Sequence, residues 1–256
     1  MLSLLLLTPD PLAAAADGRD LLELLARHTP GWLPDRWGHE EPLRHRWRDG
    51  AVDDFWSGSD VFWSGGADGG VGKLRGPRAA HSSLSLAAAP GALDGPPGQA
   101  AVAALLRDLA RRFGGDYGHL HLLVEAEDAP LASLGARGAG QGRPYLFLTA
   151  RELERWLPEL YWAVVLGPPY VELVGAARLR SAPAAVVEEL APDRFYLQLT
   201  DRLADVRDRR DRFEAARAAV KAHLGADLFW QAARGAGGAY RAPRFARPGA
   251  QAPARR

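Results

Sequence analysis

The sequence predicts an α+β fold, a mostly antiparallel sheet with helices packed on one face, and three observations carry that reading. Segments with the period of a strand outnumber those with the period of a helix. Neighbouring strands can pair through short turns. No regular strand–helix alternation marks a parallel sheet. Of the 256 residues, 47% are hydrophobic and 25% charged, proportions that let a core form by burial alone. A single domain is expected over residues 1–230. Residues 231–256, rich in Gly, Ala, Pro and Arg, are expected to form a disordered tail, because such a segment cannot bury enough apolar surface to offset its ordering entropy.

Each element follows from period and punctuation. Residues 2–7 are an apolar run that fits a strand buried on both faces. Pro9 and Asp10 cut the run short and no positive charge precedes it, so it is not read as a secretory signal. Leu21, Leu22, Leu24, Leu25 and His28 form a helical stripe that Thr29-Pro30-Gly31 stops. Residues 34–78 are dense in Trp and Gly, with FWSG at 55–58 and again at 62–65, and fit short aromatic strands and turns. Leu84 and Leu86 alternate with Ser83 and Ser85, the mark of a half-buried strand. In residues 99–113, Val102, Leu105, Leu106, Leu109 and Phe113 share one helix face opposite Arg107, Asp108, Arg111 and Arg112, and Gly114-Gly115 closes the helix.

A strand at 117–125 and a Gly-rich loop at 128–143 come next. A short helix is capped by Thr149 with Glu152 three residues on. In LGPPYVELVG at 166–175, Pro168 and Pro169 are read as a rigid entry into a strand whose Val171 and Leu173 face the core. Tyr170 and Glu172 then share the other face. A hairpin of 186–190 and 195–200, then a helix at 209–224 with Phe213, Ala216, Val220 and Leu224 inward, complete the chain.

Several chemistries are set aside. With no cysteine there is no disulfide, thiolate metal site or cysteine nucleophile, which suits the cytoplasm. GGADGGVGK at 65–73 lacks the ending and following helix of a phosphate loop, and no glycine elbow surrounds Ser82 or Ser83 beside His81. Glu40 and Glu41 are adjacent, so only one enters a given cleft. His119 and His121 lie on one strand face with Glu125 beyond them, which makes a metal-dependent hydrolase the alternative reading, although no motif fixes the further ligand that zinc needs. No cofactor is called for, and no segment has the length of a membrane span. Six arginines and no acid fall after residue 227. The remainder has 26 basic against 31 acidic residues, a mildly acidic body. Nucleic acid is not favoured as a partner of that tail.

Trp37-Gly38 with Glu41-Pro42, the strand around Tyr117 to His121, YWAVVLGPPYVELVG at 161–175, Ser181-Ala182-Pro183 and Leu197-Gln198-Leu199-Thr200 together resemble the immunity protein 52 family of bacterial polymorphic-toxin systems. A Trp-x-Gly pair is supplied by Trp56-Ser57-Gly58 and Trp63-Ser64-Gly65, and the likeness runs from Leu2 to Phe229. The resemblance implies a non-enzymatic protein that binds and neutralises a cognate toxin. On that reading exposed aromatic and acidic residues meet a basic toxin surface, with Trp37, Glu40, Trp56, Trp63, Tyr170 and Glu172 as the candidate binding residues.

Overall fold

A computed structural model of the chain describes residues 1–48, 52–56, 60–66, 70–78, 80–89, 91, 96–124, 137–140, 143–146 and 148–246. The elements in chain order are β1 (Leu2–Thr8), α1 (Ala15–His28), β2 (Arg36–Gly38), β3 (His45–Arg46), α2 (Val52–Phe55), β4 (Val61–Ser64), β5 (Val71–Arg78), β6 (His81–Ala88), α3 (Pro96–Phe113), β7 (Tyr117–Leu122), β8 (Arg137–Gly140), β9 (Arg143–Leu146), α4 (Ala150–Leu153), β10 (Ala163–Leu166), α5 (Pro168–Val174), α6 (Ala176–Arg180), β11 (Val186–Ala191), β12 (Arg194–Gln198), α7 (Asp205–Asp208) and α8 (Arg210–Leu224). Ten strands form one sheet in the order β11-β12-β10-β7-β1-β6-β5-β4-β2-β3, antiparallel at every pairing, while β8, inside the expected Gly-rich loop, and β9, at its end, form a separate two-stranded sheet. The α+β class and the antiparallel sheet are as the sequence predicts.

β1 is buried along its whole length because it is a central strand, with β6 on one side and β7 on the other. Register divides the sheet into two faces. Leu4, Leu6, Gly118, Leu120 and Leu84 lie on the first, where an added Cβ on Gly118 would meet Leu106 of α3 at 3.2 Å. Ser3, Leu5, Leu7, Tyr117, His119 and His121 lie on the second, against Tyr161, Tyr170 of α5 and Phe213 of α8. Helices thus lie on both faces of the sheet rather than on one, because the second face of its central strands carries Leu5, Leu7 and the Tyr117 ring, which need a cover of their own.

Helix ends follow their local chemistry. α3 stops at Gly114, whose φ of +65° lies in the left-handed region that favours glycine. α4 is closed by the predicted capping box, with the Thr149 N–H donating to Glu152 Oε2 at 2.9 Å.

Two expectations are corrected. LGPPYVELVG is a helix, not a strand. Gly167 is the extended N-cap and Pro168 and Pro169 occupy the first turn, where a proline's missing N–H costs nothing. The Tyr170 and Val171 N–H groups then donate to Gly167 O at 2.9 and 3.0 Å. Tyr170 is fully buried while Glu172 is exposed, since two residues along a helix turn through slightly more than a half-circle; the pair shares no face. The chain past residue 230 also packs, as far as residue 246. Tyr240 stacks on Trp230 (6.2 Å between centroids) and meets Trp156 at 5.4 Å, Arg241 Nε donates to Asp227 Oδ2 at 2.7 Å, and Phe245 is buried against His81 and Tyr170. Composition averages hide this, because two well-placed aromatic side chains bury as much surface as many alanines.

Candidate functional site

The candidate residues separate into core and surface. Trp37, Trp56 and Trp63 are buried, not exposed as expected. They converge on Phe55, whose ring lies 5.6, 5.9 and 5.7 Å from theirs. β2 and β4 pair so that Trp37 lies directly opposite Trp63 on the first sheet face, and the Trp63 indole N–H donates to Trp32 O at 3.1 Å. The doubled FWSG therefore builds a core cluster, because indoles repay burial more than any other side chain. Tyr170 belongs to the core as well. Glu40 and Glu172 are the exposed members of the six.

Around Glu40 the chain forms a shallow groove of about 240 Å³ lined by Gly38, His39, Glu40, Pro42, Arg44 and His45. Trp37 supports it from below. His45 stacks on the indole at 4.6 Å, and His39 meets it edge-on at 5.5 Å while its Nδ1 approaches Asp60 O at 3.0 Å. Two imidazoles, a carboxylate and a guanidinium thus share one rim at the free end of the sheet, an arrangement suited to polar recognition of another surface. The role of Trp37 there is support, not contact.

His119 and His121 lie on the second sheet face as alternation requires, and both are wholly enclosed. His119 Nε2 is 3.4 Å from Ser3 Oγ, His121 Nδ1 accepts from the Trp162 N–H at 3.1 Å, and the Tyr161 ring lies 4.6 and 5.2 Å from the two imidazoles. Burial, then the neighbouring His121, holds the His119 pKa well below the ordinary imidazole value, so that ring is neutral at pH 7. Glu125, the expected third member, lies outside the described residues. Among the described residues, no group of three or more metal-ligating side chains converges.

Sequence reasoning missed the buried pair beside this layer. His81 Nε2 lies 3.0 Å from Asp116 Oδ2 with both side chains almost fully enclosed, and Phe245 covers the imidazole edge-on at 4.5 Å. Tyr170 lies close by, its phenol pKa pushed well above its ordinary value by burial and then by Asp116. The partners are 35 residues apart, so no local spacing announces them. The groove residues Arg44 and His45 were also missed. Their signal was the alternation of RWG and the histidines flanking it, visible only once β2 and β3 are known to pair.

No family model and no curated protein matches the chain. Among solved structures, the fold is similar to that of a Pseudomonas aeruginosa T6SS protein, PA0821, with a TM-score of 0.53 and 14% sequence identity, covering 96% of this chain and 79% of that one.

Proposed function

We propose that the chain is an immunity-type protein that binds and neutralises a cognate toxin, as the resemblance to the immunity protein 52 family implies. The observation that carries this reading is the shared fold: a protein named as a T6SS protein has the same architecture over 96% of this chain, a setting compatible with an immunity role. The groove at Glu40 supports it, since it offers charged and imidazole groups on a rigid aromatic base, where binding loses little conformational entropy. The site acts by recognition and carries out no reaction of its own. Among the described residues, no helix is long and apolar enough to cross a membrane.

The test is co-expression of this chain with the product of each neighbouring gene. One product is expected to arrest growth when expressed alone, to be harmless beside this chain, and to co-purify with it in fixed ratio. Glu40→Arg is expected to weaken that complex. Rescue without a complex, or the lack of any neutralised neighbour, overturns the reading.

A further inference from the structure

Among the described residues, the second sheet face is covered over only half its width. Over β10, β7 and β1 it lies beneath Tyr161, α5 and α8, and its residues there are fully buried. Beyond β1, register carries the same face through Ser83 and Ser85 of β6, Val71, Lys73 and Arg75 of β5, Phe62 and Ser64 of β4, Arg36 of β2 and Arg46 of β3. Each of these positions reaches solvent, whereas Leu84, Leu86, Leu74, Val61, Trp63 and Trp37 on the opposite face of the same strands are buried. A half-open antiparallel sheet of this kind is stable, but what it displays is informative.

It displays positive charge around an apolar centre. These five strands contain no acidic residue, and the open face holds Arg36, Arg46, Lys73 and Arg75. Asp60 lies alongside, 3.7 Å from Arg75 and 3.0 Å from Arg78. Val71, at 42% exposure, is the one exposed large hydrophobic among the described residues, and it stands on this face beside Phe62. The overall acidity of the body is therefore not the charge of its open sheet.

We infer that this open face of β6-β5-β4-β2-β3 is a docking surface for an acidic protein surface, with Val71 and Phe62 at its centre and Arg36, Arg46, Lys73 and Arg75 around them. The inference rests on the binder reading and reverses the sign of the partner expected from the mean charge. A second copy of this chain is a poor occupant, because it would set like charge against like. Nucleic acid is disfavoured by Phe62. Lys73 Nζ sits 4.6 Å above the centre of that ring and occupies the face on which a base would stack.

The test uses a synthetic polyglutamate peptide and a single-stranded DNA of equal charge as probes, titrated into the full chain at low salt. Saturable polyglutamate binding is expected, weakened about tenfold or more in the Arg36→Glu/Lys73→Glu variant. It should be weakened less in Arg36→Ser/Lys73→Ser, and unchanged in Arg27→Glu/Arg151→Glu, which alters charge elsewhere. Thermal melts of each variant report folding. Equal binding by the wild-type and Arg36→Glu/Lys73→Glu proteins overturns the inference, as does DNA binding that is tighter than polyglutamate binding and lost in the same variant. If a toxin is neutralised but its complex ignores these variants, the surface fails and the immunity reading stands. If polyglutamate binds this face but no toxin is neutralised, the reverse holds.

Discussion

His119 shows what a single buried side chain does to the whole fold. The unfolded chain binds a proton on this imidazole below about pH 6.5, while the folded chain, with its depressed pKa, does not. Stability is therefore lost as pH falls from about 6.5 towards the folded pKa, by up to about 1.4 kcal/mol per pH unit. His119→Gln is expected to flatten that slope in urea melts taken between about pH 7 and about pH 5, and an unchanged slope would place the titration elsewhere. The pair at His81 gives a second comparison. Asp116→Ala strands a buried imidazole N–H and is expected to cost about 1–3 kcal/mol in denaturant melts. Asp108→Ala, which removes the partner of the more exposed His28 at 2.9 Å, is expected to cost less than about 1 kcal/mol. That His119 and His121 share a face was legible from their spacing. That His81 meets Asp116 was not, because the contact exists only after β6 has been placed beside the turn between α3 and β7.

At the scale of elements, α5 and β5 carry the sharpest expectations. In α5 the buried residue is Tyr170, so Tyr170→Ala is expected to cost about 3–5 kcal/mol, whereas the exposed Glu172→Gln is expected to stay within about 0.5 kcal/mol. Val171, half-buried, should tolerate Asp better than a strand facing the core would; equal and severe losses at residues 171 and 173 in equilibrium melts would restore the strand. In β5, a Cβ added to Gly72 would lie 1.9 Å from Cε2 of the buried Trp63, so Gly72→Ala must displace a core indole and is expected to cost about 3 kcal/mol or more. Gly76→Ala meets nothing within 4 Å and should be nearly neutral, so the two melts measured together isolate packing from backbone entropy. The helices α1, α3 and α8 were readable because their apolar stripes run for several turns. α5 was not, because five residues with two prolines before them satisfy either period.

For the whole molecule, the question is where the folded chain ends. Truncation after Gly235 removes Tyr240, Arg241 and Phe245 and is expected to lower stability by about 3 kcal/mol. Truncation after residue 246 keeps those contacts and serves as the reference in the same thermal melts. Equal melting of the two proteins would return residues 236–246 to the solvated tail that composition suggests.

The sequence by itself determined the α+β class, the burial of the Leu-rich first strand on both faces, the long helices with their glycine ends, the Thr149 cap and the hairpin at β11 and β12. All of these depend on period, capping and turn chemistry within a few residues. Tertiary structure alone decided that the tryptophans are core, that Tyr170 and Glu172 part company, that Phe245 closes over His81, and that half of one sheet face stays open with its basic residues gathered there. Each of those depends on which surfaces meet, and burial is shared between residues far apart in the chain, so no local pattern can assign it.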